Sequence, residues 1–477
     1  MTSRDASDHL RPSVVILVAD GARPDTLAAA MDRGDLPALT RLRAEGGSHV
    51  VTSVFPSVTG PAYTPFVMGR YPGPVGVPGI RWYDRERTRA RWPVYSRSYV
   101  GYDIKSVNGD IDPASPTLWD LSSSRLSNLS VIERGLRNGE KVARGAGFVL
   151  RVAVTHFRGN VAGWIDIDRH LGEQVAARIA HDKPEIAFCA LTGIDKTSHS
   201  TGHDSAAVLE AMKNVDRTVA QIRADAERDG RWEQMHLWIV SDHGHSPVKQ
   251  HEDLAGIIER WGVGVRAHPF TIGRNQRVAV MVSGNAMAHV SLDIDETTRP
   301  WWPKLSKKWE WLAERLLERE STDLLILPHS ESEIELRSRS RGRARVLFAN
   351  GRYSYRPESG DPLGIGAQSN LTDEQAYDAT IASDYPDALV QLANLCASPR
   401  CGDLLISAAR NWDLRSRYEP IPHVSSHGAL HREHMLVPLI TNRPAARTPR
   451  RTVDVFASAA QLLGAAHDAR VDGRSWL

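Results

Sequence analysis

The stretch VVILVAD, residues 14–20, is an uninterrupted apolar run that ends in an acidic residue. Such a run is typical of a strand that is buried on both faces of a parallel sheet. The segments IAFCALTGID, residues 186–195, and HLWIVSDHG, residues 236–244, repeat the pattern. The three runs predict an α/β fold in which acidic residues and histidine lie at the carboxyl ends of parallel strands, where open α/β sheets build their sites.

The segment between the second and third runs predicts the crossover helix that parallel strands require. Residues 204–222 read DSAAVLEAMKNVDRTVAQI, and either Asp204 or Ser205 is suitable as the residue that caps the helix. The apolar stripe consists of Leu209, Met212, Val215, Val219 and Ile222.

The alternation of strands and helices fails over residues 80–165 and 268–400, which we interpret as insertions over the edge of the sheet. The predicted domains are a discontinuous catalytic core of residues 12–265 and 400–470, a smaller insertion at 80–165 and a cap insertion at 268–400.

Two patterns in the second insertion have alternative interpretations. Arginine recurs at every second position from Arg337 to Arg345, ahead of an Asn350-Gly351 hairpin turn. Arg339, Arg341 and Arg343 complete one strand face, expected to meet either solvent or phosphate and lipid headgroups. Leu305, Trp309, Leu312 and Leu316 form a helical stripe, which packs into a core or docks on a membrane surface.

The composition excludes some functional classes. The 477 residues carry 59 Lys and Arg against 57 Asp and Glu, a net charge of +2, which argues against a dedicated nucleic-acid binder. No apolar run approaches the roughly 20 residues that span a bilayer. The polar start MTSRDASDHLRPS is not a secretory signal, so the expected location is the cytoplasm. Cys189, Cys396 and Cys401 are then expected to be reduced, with a Cys396–Cys401 bridge as the alternative.

Seven residues have side chains that bind metal ions, and five of them lie at or just beyond the ends of these runs. The seven are Asp20, Thr59, Asp195, His199, Asp242, His243 and His427. Four oxygen ligands and three imidazoles suffice for two ions, and zinc accepts this mixture. Paired ions stabilise both the attacking and the leaving oxygen of a displacement at phosphorus, and a hydroxyl beside an ion is activated for attack. Thr59, in FPSVTGPAYTPF, is therefore the candidate nucleophile.

Each of these residues also has a purely structural interpretation. Asp20 after its strand could cap a helix, and Asp195 with His199 could belong to a simple turn. Asp242-His243-Gly244 could be a loop with satisfied polar groups, and Thr59 alone could be structural. The combination and order of the residues favour a site.

Several local sequences resemble those of a known family. Pro56-Ser57-Val58-Thr59-Gly60-Pro61 and Met68-Gly69-Arg70-Tyr71-Pro72 are similar to the Pro-Thr-x-Thr-x-Pro-Asn motif and the Thr-Gly-x-Tyr-Pro turn of the type I phosphodiesterase and nucleotide pyrophosphatase branch of the alkaline phosphatase superfamily. Ser241 to Gly244 match its Ser-Asp-His-Gly element unchanged. The spacing of Asp195, His199 and His203 resembles another family element, and His427 lies in the family's Ser-His-Gly context. The resemblance covers about residues 12–265 and 400–465.

This resemblance implies a fold, a cofactor and a reaction. The fold would be an alkaline-phosphatase-like sandwich with a central, mostly parallel sheet flanked by helices, plus cap insertions. Asp195, His199 and His427 would hold one divalent ion. Asp20, Asp242 and His243 would hold the other, with Thr59 bridging toward it. Zinc is the expected metal, although manganese and iron accept the same ligands. A small phosphate ester or pyrophosphate would be cleaved through a covalent phospho-threonine.

One departure from the family pattern affects the substrate. The family has Asn as a hydrogen-bond donor to the phosphoryl oxygen at the position of Ala62, which has no donor. Backbone N–H groups after Thr59, Lys196 or Asn108 are the candidate replacements, and Arg81 and Tyr83 are expected in the leaving-group pocket. The alternatives are a phosphomonoesterase or phosphonate hydrolase, and a metal-binding protein without turnover, for which Ala62 is the only hint.

Overall fold

The computed structural model describes residues 12–85, 106–128, 131–143, 145–268, 275–415, 421–465 and 470–477, together with 104, 417, 419 and the backbone of 96–98. In this part of the chain the strands are β1 (Ser13–Ala19), β2 (Gly47–Thr52), β3 (Arg81–Tyr83), β4 (Ser96–Ser98), β5 (Arg125–Ser127), β6 (Ile186–Leu191), β7 (Met235–Val240), β8 (Ser246–His251), β9 (Val265–Ala267), β10 (Val278–Ser283), β11 (Met287–Leu292), β12 (Thr322–Pro328), β13 (Glu333–Ser338), β14 (Gly342–Ala349), β15 (Arg352–Gly360), β16 (Gln368–Leu371), β17 (Leu404–Ala408), β18 (Asn411–Asp413), β19 (Ser425–Ser426) and β20 (Leu436–Thr441).

The α-helices of the same ranges are α1 (Pro24–Asp32), α2 (Pro37–Glu45), α3 (Thr64–Met68), α4 (Pro72–Val75), α5 (Val107–Asp110), α6 (Ala146–Phe157), α7 (Val161–Asp182), α8 (Gly193–Thr201), α9 (Ala206–Arg228), α10 (Leu254–Arg260), α11 (Trp302–Leu317), α12 (Asp373–Thr380), α13 (Ala388–Cys396), α14 (Arg432–Met435) and α15 (Asp454–Leu462). Among these residues, no helix has both the length and the apolar composition that a membrane crossing requires.

The first sheet has the order β2-β20-β7-β1-β6-β5 and contains the three apolar runs. Strand β1 is parallel to both β6 and β7, and β5 is parallel to β6, whereas β20 is antiparallel to β7 and β2. The predicted α/β fold with a mostly parallel sheet is therefore confirmed.

Strand β1 is buried on both faces of this sheet. Val15 and Leu17 pack into one apolar cluster with helices α2, α7 and α9, and Val14 and Ile16 pack into another with α3 and α15. The double burial explains why the strand has no alternating polar residues.

Helix α9 is the predicted crossover between β6 and β7. Its stripe residues Met212, Val215, Val219 and Ile222 are buried, and Leu209 is partly buried against the same cluster. The Oγ atom of Ser205 accepts a hydrogen bond from the Val208 N–H at 3.3 Å, so Ser205 caps the helix and the alternative, Asp204, does not.

The second sheet has the order β16-β15-β14-β13-β12-β17-β11-β10-β9 and is antiparallel except for the β9–β10 pair. Helix α11 covers one face, where Leu305, Trp309, Leu312 and Leu316 are buried. Their interpretation as core residues is confirmed, and the membrane-docking alternative is wrong. The division of the chain into core and cap stays a prediction.

The prediction of a single arginine-lined strand is wrong, because a turn at residues 339–341 divides the run between β13 and β14. Arg337 and Arg343 are cross-strand partners. Arg337 is buried and pairs with Glu335 and Glu310, and Arg345 pairs with Glu333, Glu335 and Glu358. Carboxylates therefore neutralise Arg337 and Arg345, whereas Arg339 and Arg343 are exposed to solvent.

Two smaller expectations are confirmed. Asn350 and Gly351 connect β14 to β15 with φ angles of 51° and 70°, which suit Asn and Gly in a hairpin turn. Cys189, Cys396 and Cys401 are buried free thiols, so the alternative of a Cys396–Cys401 bridge is not formed.

Candidate active site

Three neighbouring parallel strands bring the acidic residues to one edge of the first sheet. Asp20 follows β1 directly, Asp195 lies in the first turn of α8 after β6, and Asp242 follows β7. The backbone N–H of Asp195 donates to the Asp20 carbonyl oxygen at 3.0 Å, which ties the ends of β1 and β6 together. The three carboxyl groups are buried, with side chains at most 1% exposed.

Thr59 lies in the loop between β2 and α3 and faces this edge. Its Oγ1 atom is 3.1 Å from His243 Nε2 and 3.3 Å from Asp20 Oδ1. The flanking residues Val58 and Gly60 are buried, whereas Thr59 is partly exposed. The hydroxyl is therefore accessible to a substrate while it contacts two candidate metal ligands.

Histidines from three separate segments converge on Asp195. Atom Oδ1 of Asp195 lies 3.1 Å from His199 Nε2 and 3.4 Å from His427 Nε2. His243 Nε2 is 4.0 Å from the same oxygen and 3.5 Å from Asp20 Oδ1. The rings of His243 and His427 stack with centroids 3.6 Å apart, so the two predicted ligand groups share one compact cluster.

His245 is a member of the cluster that the sequence analysis missed. Its Nε2 atom lies 2.9 Å from Asp195 Oδ1, and its side chain is fully buried. The available signal was its position in Ser-Asp-His-Gly-His, immediately after the family element that ended at Gly244.

The described residues contain two groups whose ligand atoms lie within 4.8 Å of one another. The groups are Asp195, His199, His245 and His427, and Asp20, Asp195 and His243. Asp242 adjoins the second group, since its Oδ2 atom lies 3.6 Å from His243 Nε2. His203, although it matched the family spacing, belongs to neither group.

The ionisation of the cluster indicates a shortage of positive charge. Burial, with the charges of Asp242 and Asp195, raises the pKa of Asp20 well above its ordinary value. Burial also raises the pKa of Asp242. Burial opposes the ionisation of Asp195, but Lys196 and His199 outweigh it and lower the pKa of that carboxyl group. Three buried carboxylates beside a single lysine form a set that divalent cations would stabilise.

The imidazole rings are oriented as metal ligands are. His199 Nδ1 donates to the Ser425 carbonyl at 2.9 Å, His427 Nδ1 to that of Ser57 at 3.0 Å, and His243 Nδ1 to that of Gly244 at 3.1 Å. Because a carbonyl oxygen only accepts, each Nδ1 carries a hydrogen, and in the neutral ring each Nε2 turns a lone pair toward the carboxylates. Burial lowers the pKa of His427 well below its ordinary value and that of His245 to about 3, which favours neutral rings.

The hydrogen bonds of Asp242 also fit a bound cation. Its Oδ1 accepts the Gly21 N–H at 3.3 Å, but its buried Oδ2 accepts no hydrogen bond from the described part of the chain. An orphaned carboxylate oxygen is costly unless a cation contacts it. The residues present therefore fit divalent metal ions.

The four predicted substrate-binding residues have different positions. Lys196 joins the cluster, with its Nζ 2.6 Å from Asp195 Oδ2. Arg81 lines a pocket with Arg415 and His268 and donates to the Val282 carbonyl oxygen. The Tyr83 hydroxyl donates to the Ile294 carbonyl oxygen at 2.9 Å, against the second sheet.

Asn108 forms its hydrogen bonds within the predicted first insertion. Its Oδ1 atom accepts the backbone N–H groups of Glu133 and Arg134 at 2.8 and 3.0 Å. No described contact of Asn108 connects it with the metal-type cluster, so its proposed role as a phosphoryl donor finds no structural support.

Solved structures with the same fold act on phosphorus compounds or bind nucleotides. The chain superimposes on phosphonoacetate hydrolase from Sinorhizobium meliloti, solved with phosphonoformate, with a TM-score of 0.56 and 16% identity, over 95% of this chain and 96% of the other. Murine ectonucleotide pyrophosphatase/phosphodiesterase 5, in an inactive form with AMP, gives a TM-score of 0.55 at 14% identity over 96% of each chain. The human counterpart gives 0.57 at 13% identity over 97% of each chain.

The match to one curated relative covers only about half of each chain. An uncharacterized pyrophosphatase/phosphodiesterase of Schizosaccharomyces pombe is 23% identical over 257 residues, which are 51% of this chain and 47% of the yeast protein. The matched segment thus spans about half the length of that relative.

The fold is shared with phosphonoacetate hydrolase and ectonucleotide pyrophosphatase/phosphodiesterase 5, and one edge of its first sheet has a cluster of carboxylates and histidines that could bind metal. The family model of type I phosphodiesterase/nucleotide pyrophosphatase matches residues 14–430. The chain belongs to that family, which confirms the resemblance carried by its motifs.

Proposed function

We propose that the protein is a two-metal hydrolase of phosphodiesters or pyrophosphates in which Thr59 is the nucleophile. The observation that carries this proposal is the position of the Thr59 hydroxyl. It is partly exposed, and it lies within 3.5 Å of both Asp20 and His243, which belong to one of the two metal-type groups.

Each residue of the cluster has a defined task in this proposal. Asp195, His199 and His427 hold one divalent ion, and Asp20, Asp242 and His243 hold the other. When bound, the ions would supply positive charge beside the phosphoryl group and lower the pKa of nearby hydroxyl groups. Zinc suits this mixture of imidazole and carboxylate, and manganese or iron would compete for it.

The reaction proceeds in two displacements at phosphorus. Thr59 Oγ1 forms a bond to phosphorus as the bond to the leaving oxygen breaks, and the threonine proton is transferred through solvent water to the departing alcohol or phosphate. Water then attacks the phospho-threonine, releases a phosphate monoester and returns a proton to Thr59 Oγ1. Two inversions give net retention of configuration at phosphorus.

Lys196 and the amide of Gly60 are the proposed donors that replace the family Asn. Burial disfavours the Lys196 ammonium, but Asp195 and Asp20 outweigh it and raise its pKa, so it is charged at neutral pH. Of the amides after Thr59, Pro61 has no N–H and those of Ala62 and Tyr63 donate to the carbonyls of Val58 and Gly60. The Gly60 amide is the one left for a phosphoryl oxygen.

Hydrolysis of a chromogenic aryl phosphodiester tests the proposed function. The purified protein is expected to release the aryl alcohol, to lose activity after removal of metal by a chelator, and to regain it when zinc or manganese is restored. Activity that survives exhaustive metal removal would refute the role of the ions. Tight metal binding without hydrolysis across a broad panel of phosphate esters would instead favour a protein that has lost turnover.

A second candidate is a phosphonate hydrolase whose substrate carries an additional anion. The pocket of Arg81, Arg415 and His268 favours it, because the guanidinium groups of the buried Arg81 and the partly buried Arg415 suit a carboxylate. Glu419, which interacts electrostatically with Arg81 and Arg415, lies 3.7 Å from His423, whose ring stacks on His199 at 4.1 Å. This chain of contacts links the pocket to the cluster.

Relative rates on three substrates separate the candidates. A phosphodiesterase is expected to prefer the aryl diester over the aryl monoester and over phosphonoacetate. A preference for phosphonoacetate, lost in an Arg81→Met variant that retains diester hydrolysis, would support the second candidate.

A further inference from the structure

We propose that His245 is a fourth protein ligand at the group formed by Asp195, His199 and His427, and that it closes this group to substrate. The inference deepens the proposed function and rests on its metal-binding part. Its basis is the approach of His245 Nε2 to Asp195 Oδ1 at 2.9 Å, shorter than the corresponding 3.1 Å of His199 and 3.4 Å of His427.

The hydrogen bonds of Ser425 fix which nitrogen of His245 faces Asp195 without a hydrogen. The Ser425 hydroxyl donates its only hydrogen to the Ser246 carbonyl oxygen at 3.0 Å. It must therefore accept from His245 Nδ1, which lies 3.2 Å from Ser425 Oγ. In the neutral ring, His245 Nε2 then carries a lone pair, as His199 and His427 do.

Three imidazole lone pairs thus converge on one carboxylate oxygen. Lone pairs on neighbouring acceptors repel each other unless a cation lies between them, and neutral imidazole nitrogen is a common ligand of divalent metals. In all three rings Nδ1 donates to an oxygen atom, which is the Ser425 carbonyl for His199, the Ser425 hydroxyl for His245 and the Ser57 carbonyl for His427. His245 therefore has the orientation of a ligand and not that of a hydrogen-bond donor to Asp195.

The backbone at Gly21 permits this close approach. A Cβ atom at Gly21, where φ is 78°, would lie 2.9 Å from Asp195 Cα and 3.0 Å from His245 Nε2. Only glycine fits there, so the backbone after β1 packs directly against Asp195 and His245. His245 itself is fully buried, which leaves it in contact with the cluster and not with solvent.

A fourth protein ligand changes the role of the ion at this group. Catalytic zinc sites keep three protein ligands and one open position, whereas four protein ligands complete a tetrahedral structural site. The ion at Asp195 would act as a fixed charge and bind tightly. Substrate and Thr59 would then meet the other ion, at Asp20, Asp242 and His243.

The metal environment tests this inference without any activity measurement. Protein stripped of metal by a chelator receives one equivalent of zinc, and X-ray absorption counts the imidazole ligands. We expect three in the native sequence and two in His245→Ala. Competition with a chromogenic chelator is expected to show that the substitution weakens the tight site by more than about 100-fold, beyond the range of about 10–100-fold for the loss of an outer partner.

His434→Gln is the matched control. His434 is equally buried and contacts the same segment, with Nε2 2.8 Å from Ser246 Oγ and Nδ1 accepting the Ala429 N–H at 3.0 Å. Because both ring nitrogens are engaged away from the cluster, this variant is expected to keep three imidazoles and the native zinc affinity.

Fewer than three imidazoles in the native protein would overturn the inference, and that result does not depend on whether any variant folds. A His245→Ala protein that binds zinc within tenfold of the native affinity would also overturn it. Active protein with two imidazoles would refute the inference alone. Three imidazoles in a protein that hydrolyses no phosphate ester would refute the proposed function and leave the ligand assignment standing.

Discussion

Replacing Thr59 by Val removes the proposed nucleophile with little change in volume. The substitution exchanges the hydroxyl for a methyl group and deletes the contacts of Oγ1 with His243 at 3.1 Å and with Asp20 at 3.3 Å. Because Thr59 is partly exposed, we expect the loss of these contacts to cost only about 1 kcal/mol of unfolding free energy. The fold and the metal content should survive.

The effect on catalysis should be much larger than the effect on stability. Loss of a covalent nucleophile leaves only binding and electrostatic stabilisation, so kcat/KM should fall by at least about 10³-fold, or about 4 kcal/mol of transition-state stabilisation. Thr59→Ser keeps a hydroxyl in reach of Asp20 and His243 and should stay within about tenfold of the native rate.

Steady-state kinetics on an aryl phosphodiester, with metal content measured on the same samples, provides the assay. A fully metal-loaded Thr59→Val protein with more than a tenth of native activity would refute the reasoning. If Thr59→Val is inactive and has also lost its metal, the result supports a role of Thr59 in metal binding and does not support its role as nucleophile.

Three further predictions concern other parts of the molecule. Lys196→Met removes the proposed phosphoryl donor and should lower kcat/KM by about 10²–10³-fold. The metal concentration that gives half-maximal activity should not change, and native rates would contradict the donor role. Arg337→Met leaves the buried Glu335 carboxylate with only Arg345 and His329 as partners and should destabilise the fold by about 2 kcal/mol in urea unfolding, whereas a neutral effect would contradict the pairing. Burial and Arg443 lower the pKa of His236 to about 4 in the folded state, against about 6.5 unfolded. The unfolded chain therefore binds the proton first, and the stability that His236 provides is lost as the pH falls from about 6.5 toward 4, by about 1 kcal/mol because the ring is partly exposed. His236→Gln should reduce this loss, and an identical pH profile for both proteins would argue against it.

Much of the site was predictable because its residues follow strongly patterned strands. Asp20, Asp195, Asp242 and His243 lie at the ends of apolar runs, and three adjacent parallel strands necessarily deliver their carboxyl ends to one edge. Thr59 and His427 come from loops without such a pattern. For these two residues the family motifs, and not the physical pattern, provided the prediction.

His245 could not be identified as a candidate ligand from the sequence. It directly precedes β8, and its one local signal, the position after Ser-Asp-His-Gly, does not distinguish a ligand from a buried histidine. Its role depends on Ser425, 180 residues away, whose hydroxyl orients the ring. Contacts between such distant segments are set by tertiary packing.

The arginine run shows the limit of periodicity. A period of two is expected for one strand. Two antiparallel strands joined by a short turn can show the same period, as in this chain, where Arg337 lies opposite Arg343. The turn lies at residues 339–341. Ser340 and the following Gly342 are weaker turn signals than Asn350-Gly351. The pairing with Glu310 and Glu335 likewise joins separate elements that the local pattern could not connect.

Trapping of the covalent intermediate tests the central claim most directly. The protein is mixed with a slowly hydrolysed aryl phosphodiester, quenched in acid within the first turnover, digested and analysed by mass spectrometry. We predict that the peptide containing Thr59 carries the phosphoryl group of the substrate, and that this modification is absent from Thr59→Val. A first turnover that releases the aryl alcohol while Thr59 stays unmodified, or a phosphoryl group on another residue, would contradict the account.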